Sequence, residues 1–188
     1  MRVVGGTLKG RRLEAPEGAV ARPTSDRARE ALFNLLTQGR IAGEGNPLIG
    51  ARVLDAFAGT GALGIEALSR GAAEAWFMEK DAAALKALRA NIKHCGVEQK
   101  ARVVPADVVS PPAAQRACDI LLLDPPYNKG LGAPALSALA RAGWMAENAL
   151  IALEVERKDE VEAPEAFVPQ DERHYGKAKL LFFRYRAG

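Results

Sequence analysis

The sequence predicts an α/β fold built on a doubly wound, mostly parallel sheet, and three observations carry that prediction. Strand-length apolar runs recur between residues 52 and 156, nearly continuous rather than alternating, as strands buried on both faces require. Helical stretches separate them, which is the connection parallel neighbours need. A glycine-rich turn joins the first run to the first helix, at the strand end where open sheets of this kind receive ligands.

The N-terminal residues stand apart from this alternation. Residues 1–23 are rich in Gly, Pro and Arg, with β-like pieces at 2–4 and 12–14 separated by Gly5, Gly6 and Gly10, a pattern that predicts a hairpin. Thr24 and Asp26 offer capping side chains after Pro23, and Ala28, Ala31, Leu32, Leu35 and Leu36 form one apolar stripe on the helix that follows. Arg27 and Arg29 fall in its first turn, where cations oppose the helix dipole. A local rule broken twice suggests that these arginines face something negative. Residues 39–50 hold four glycines and Pro47 and read as a mobile connector.

The alternating part then begins. A strand is predicted at 52–57, a helix at 62–70 ended by Gly71, a strand at 75–79, and a helix at 81–95 capped by Asp81 and stopped by Gly96. A strand at 102–105, a Pro-broken stretch, a strand at 119–123, a helix at 134–142 ended by Gly143 and a strand at 149–156 follow. After a Pro- and Glu-rich bend, 174–176 and 179–186 read as a closing antiparallel pair, which brings the strands to seven.

At 188 residues the chain suits one domain with a sizeable core, and 48% hydrophobic with 26% charged residues is ordinary for a soluble protein. No apolar run approaches the ~20 residues of a membrane helix, and the start has no signal-peptide pattern. Cys95 and Cys118 form no CxxC pair and are expected as buried reduced thiols, so a cytoplasmic location is expected. Charge is unevenly placed: residues 1–40 carry eight Lys/Arg against four acids, although the whole chain is only +3. A basic segment at 1–40 on a near-neutral body at 41–188 points to a polyanion held at one end.

Two strand-end motifs carry the chemistry. The first is Asp55-Ala56-Phe57-Ala58-Gly59-Thr60-Gly61-Ala62-Leu63-Gly64. Glycines allow a ligand to approach the backbone and the chain to turn sharply into a helix. The spacing of Gly59, Gly61 and Gly64, with Glu79 20 residues after Gly59, is literally the dinucleotide fingerprint. Yet the strand ends in Asp55, with Phe57 and Ala58 before the glycines. A carboxylate there would repel a pyrophosphate, whereas it could accept hydrogen bonds from an amino-acid ammonium. An amino acid at one end and an adenosine at the other describe S-adenosylmethionine. Glu79 would then accept from both ribose hydroxyls, while Asp107 accepts from the adenine amine and Val108 packs on the ring. Phe57, Ala58, Thr60 and Lys80 complete the expected cofactor contacts.

The second motif is Asp124-Pro125-Pro126-Tyr127, which follows the apolar run 119–123. Paired prolines fix the backbone and remove N–H donors, leaving carbonyls in set directions. The Asp124 carboxylate and the Pro125 carbonyl would offer two acceptors to an –NH2 group, and Tyr127 a flat face for a base.

Together DAFAGTGALGIEALSRGA, FMEKD, PADVV and LLLDPPY resemble the Rossmann-like class I methyltransferases that modify amino groups of bases. RVVGGTLKGRRLEAP, RPTSDRAREALFNLL and His174-Tyr175-Gly176-Lys177 narrow the resemblance to the bacterial RsmD-like family, over nearly the whole chain. The resemblance implies methylation of guanine N2 in 16S ribosomal RNA, within an assembling small ribosomal subunit, by a monomer that uses S-adenosylmethionine and no metal. It gives Asp55, Gly59, Gly61, Glu79 and Asp107 cofactor roles and assigns the target base to Asp124, Pro125, Pro126 and Tyr127. Leu8 stands where relatives often carry Trp, and Asp124 where many carry Asn.

The expected chemistry is in-line displacement, helped by alignment and by acceptors that draw the nitrogen lone pair out of ring conjugation. Asp124 acts either as a base or only as an acceptor. Arg2, Lys9, Arg11, Arg12, Arg22, Arg27 and Arg29 are the expected phosphate contacts. The rival readings are an adenine-N6 methyltransferase on DNA or RNA, a nicotinamide oxidoreductase and a non-enzymatic RNA-binding module.

Overall fold

The computed structural model describes residues 1–16, 26–38, 41–43 and 45–188. Helix α1 (Asp26–Thr37) precedes β1 (Arg52–Ala56), α2 (Ala62–Ser69), β2 (Glu74–Glu79), α3 (Ala82–Cys95), β3 (Ala101–Pro105) and β4 (Cys118–Leu123). Then come α4 (Gly132–Arg141), β5 (Met145–Glu156), β6 (Phe167–Tyr175) and β7 (Ala178–Tyr185). The seven strands form one sheet in the order β3-β2-β1-β4-β5-β7-β6. All pairings are parallel except those of β7, which is antiparallel to both β5 and β6. The order runs outward in one direction through β1, β2 and β3, then crosses back to β4 beside β1. The carboxyl ends of β1 and β4 therefore flank the topological switch point, where a crevice opens.

Alternation along each strand divides the interior into two layers. Val53, Phe77, Ile120, Leu122 and Phe182 meet Phe33 and Leu36 of α1, Ile65 and Leu68 of α2, and Leu88 and Ile92 of α3. Leu54, Met78, Leu121, Leu123 and Ile151 meet Leu136 and Leu139 of α4 on the opposite face. Helices on both faces are what the unbroken apolar runs required. Helix α3 shows how local chemistry sets its ends. The Asp81 carboxylate accepts from Ala84 N at 2.8 Å, and Gly96 adopts φ 68° as it closes the last turn.

The arm at the N-terminus is a hairpin closed by an antiparallel bridge, Arg2 to Arg12, around a 3-10 turn at Gly6–Leu8. Its Val3 and Leu13 are buried in the same layer as α1. The expected connector carries anchors that its glycines did not announce: in its described part, the apolar side chains of Ile41 and Leu48 are buried in that layer. The closing pair is also longer than expected at its first strand. Strand β6 is a sheet edge whose residues from Val168 to His174 lie mostly toward solvent, so no apolar alternation marks it. Both cysteines are buried and free, and burial pushes the Cys118 thiol up to about 12. No helix among the described residues is long and apolar enough to cross a membrane.

Candidate functional site

The glycine turn leaves β1 through Phe57, whose φ of 63° is a left-handed conformation that a bulky side chain rarely adopts. Gly61 follows at φ 80°, and a Cβ there would lie 2.4 Å from Leu88 Cδ1. At Gly64 a Cβ would meet Phe77 Cε1 at 2.3 Å. These two glycines let α2 press directly onto the sheet, which fixes where the helix N-terminus points.

Asp55 sits beneath the turn rather than in its mouth. It is 1% exposed, and its Oδ2 accepts from Gly64 N at 2.8 Å. Burial holds this carboxyl well above the usual carboxylate range, and the charges of Asp124 and Glu79 push it the same way. Glu79, at the tip of β2, is half-buried. One oxygen accepts from Gly59 N at 2.9 Å; the other accepts from Lys80 N and Asp81 N, each at 2.8 Å. A carboxylate has lone pairs to satisfy all three donors, which is why an acid ends this apolar strand. Lys80 Nζ donates to Asp107 Oδ2 at 2.8 Å, and this bond holds the Asp107 carboxyl below its ordinary value. Asp107 Oδ1 accepts from Val109 N, leaving Val108 packed inward and 2% exposed.

The loop after β4 lies beside this turn. A long backbone contact joins Asp124 N to Ala56 O at 3.5 Å, across the switch point. A cavity of about 360 Å³ is lined by Phe57, Glu79, Lys80, Asp107 and Val108 from one side and by Asp124, Pro126 and Leu131 from the other. Pro125 and Tyr127 face an adjoining hollow of about 160 Å³, with Pro126 and Leu131 forming the shared wall. Tyr127 Oη donates to Glu154 Oε1 at 2.9 Å. Thus the two motifs meet at one place, with Phe57, Glu79, Lys80, Asp107, Val108, Asp124 and Pro126 sharing a cavity. Asp55, Ala58, Gly59, Thr60 and Gly61 shape the turn beside or below it.

The basic residues divide. Arg2, Lys9 and Arg27 border a separate hollow of about 390 Å³ together with Asp26 and Glu30. Arg2 pairs with Asp26 at 3.0 Å, Arg11 donates to His94 O at 2.9 Å, and Arg12 is exposed. Arg22 lies outside the described residues. Arg29 corrects the expectation of a phosphate contact. It is 1% exposed, donates to Arg2 O and Asp26, and lies 3.9 Å from the fully buried Glu66. The negative partners of this first-turn arginine are the protein's own carboxylates, Asp26 at 3.0 Å and the interior Glu66.

Sequence reading missed the polar residues that dock the arm. Glu66 Oε2 accepts from Val4 N at 2.8 Å, Ser69 Oγ bonds both Leu8 N and Gly5 O, and Asn91 bonds Glu14. On helices they look like ordinary solvated residues; only the arm's return across α2 and α3 buries them. Glu154 was missed for a similar reason, since its partner is 27 residues away in sequence.

A seven-stranded sheet with one antiparallel strand, carrying a glycine turn and an Asp-Pro-Pro-Tyr loop at its switch point, defines a Rossmann-like methyltransferase. Residues 1–184 match the model of the family described as Conserved hypothetical protein 95, and the chain belongs to this RsmD family. It is similar to the ribosomal RNA small subunit methyltransferase D of Escherichia coli K12, 40% identical over 158 residues that span 83% of this chain and 75% of the relative. The protein of the same name from Haemophilus influenzae is 35% identical over 182 residues, 94% of this chain and 89% of that one. The solved structure of yhhF from Escherichia coli superposes with a TM-score of 0.82 at 34% identity, over 100% of this chain and 99% of that one.

Proposed function

We propose that this methyltransferase uses S-adenosylmethionine to methylate the exocyclic N2 amine of a guanine in 16S ribosomal RNA. The observation that carries the reading is the single cavity lined by Glu79, Asp107 and Val108 on one side and by Asp124 and Pro126 on the other. Its donor set suits a cationic nucleoside. Glu79 and Asp124 both line the cavity, with their charges reaching Asp55 beneath, and the lining cation, Lys80, is already paired with Asp107. A pyrophosphate in the same place would meet that carboxylate cluster, which argues against a nicotinamide enzyme.

When bound, S-adenosylmethionine supplies an electrophilic methyl carbon on a sulfonium. Glu79 would hold the ribose, Asp107 the adenine amine, and Val108 the ring face. Asp124 and the Pro125 carbonyl accept from the guanine amine, keep its lone pair aimed at the methyl and hold the departing proton. Tyr127, anchored through its hydroxyl, offers a stacking face beyond Pro126. The exposed cations Arg2, Lys9, Arg11, Arg12 and Arg27 draw in the RNA backbone, so affinity should fall steeply with salt. The relatives' name, ribosomal RNA small subunit methyltransferase D, supports the choice of RNA. We place the reaction in the cytoplasm, by a monomer, on an assembling small subunit.

The test is nucleoside mass spectrometry of 16S RNA from cells with and without the protein. One N2-methylguanosine should vanish in its absence and return when purified protein and S-adenosylmethionine are added. Loss of N6-methyladenosine instead would overturn the guanine assignment. Calorimetry with S-adenosylhomocysteine and NAD separates the cofactor classes.

A further inference from the structure

The arm and the glycine turn share one buried side chain. Asn91, on α3, is 1% exposed. Its Oδ1 accepts from Glu14 N at 2.8 Å, while its Nδ2 donates to Glu14 O and to Thr60 O, both at 2.9 Å. One N–H and two carbonyls leave the amide a single satisfied orientation, so its position is fixed from three directions. Glu14 belongs to the basic arm, and Thr60 stands between the two glycines of the methyl-donor turn. The arm touches the turn again at its other end, where Thr60 Oγ1 lies 3.8 Å from Met1 Sδ.

We propose that Asn91 is a positioning residue that sets the glycine turn through the arm, so that RNA held on the arm tightens the cofactor site. This deepens the reading above and rests on it. The turn itself contains strained backbone at Phe57, and its carbonyl at Thr60 has its partner on α3 rather than within the turn. Releasing the arm at Glu14, rather than elsewhere along it, frees the amide, which then no longer holds Thr60 in one place. By linkage, RNA that steadies the arm at Glu14 must strengthen the methyl donor's binding by the same factor that the donor strengthens RNA binding.

The experiment measures S-adenosylhomocysteine affinity by calorimetry, with and without a 16S RNA transcript, for four proteins. In the wild type the transcript tightens binding severalfold. In Asn91→Ala, affinity without RNA falls roughly tenfold, the loss of about one buried hydrogen bond, and the RNA effect shrinks toward the direct contact between base and cofactor alone. Glu14→Pro removes the arm's N–H from outside the core and should reproduce both changes even if Asn91→Ala folds poorly. Ser69→Ala loosens the arm at Leu8 and Gly5 without touching the turn; it should weaken RNA binding and leave the RNA-free affinity unchanged. A merely structural role would move the Asn91 and Ser69 variants together, and that result overturns the inference, as does an unchanged cofactor affinity in Glu14→Pro. If the wild type binds neither S-adenosylhomocysteine nor the transcript, the functional reading itself fails, an outcome separate from either of these.

Discussion

Replacing Glu79 by Gln tests the cofactor side of the site with almost no change in shape. The carboxylate accepts three backbone N–H groups, from Gly59, Lys80 and Asp81. A glutamine amide has one accepting oxygen. Turned toward Lys80 and Asp81, it presents its –NH2 to the Gly59 N–H; turned the other way, it opposes two donors. The first orientation costs less, so the variant loses one charge-assisted bond at the glycine turn and a ribose acceptor beside it. A bond of that kind contributes about 1.5–3 kcal/mol. At about 1.4 kcal/mol per decade, S-adenosylhomocysteine should bind roughly 10- to 150-fold more weakly by calorimetry. The fold should survive, because the remaining bonds at Lys80 and Asp81 still join β2 to α3. Affinity within threefold of the wild type would refute the reasoning, since it would mean that neither the turn nor the ribose depends on this charge.

Other substitutions probe separate parts of the argument. Asp55 is held above its ordinary value of 3.8 by burial, so its ionised form opposes folding and stability declines as pH rises from there toward the folded value. Asp55→Asn keeps an acceptor for Gly64 N and removes that charge; its urea midpoint should exceed the wild type's at pH 7, with the gap narrowing below about pH 4. Glu66→Ala takes the 2.7 Å ion-pair partner from Arg70, the interior anion from beside Arg29 and the acceptor from Val4 N, and urea unfolding should show a loss of about 3–5 kcal/mol. Asp124→Asn should retain substantial methyl transfer and Asp124→Ala lose most of it; equal inactivity of the two would favour a proton-removing base over an acceptor.

The central strands were legible because their burial is dictated by their own composition. The runs at 52–57, 75–79 and 119–123 match β1, β2 and β4 to within a residue at each end. Strand β6 was not, because an edge strand needs only its hydrogen bonds and an anchor such as Phe167, which leaves polar residues free to occupy most of it. The meeting of the two motifs was legible from topology, since both follow apolar strands and such sheets collect ligand loops at one edge. What each carboxylate touches was not. Asp55 and Glu79 look alike as acids ending apolar strands, yet one supports the turn from below and the other borders the cavity. Arg29 misled for a related reason: a cation in the first turn signals a nearby anion but does not say whether that anion is solvent-borne or an interior glutamate.

The left-handed backbone at Phe57 has a bearing on the shape of the cavity. A glycine at that position would adopt the same angles without penalty but would give up the ring's packing against the interior layer. It would also leave the cavity without one wall and the unfolded chain with more freedom to lose. The phenylalanine therefore marks a place where backbone ease and a shaped binding surface pull apart, so that relieving the strain removes the wall.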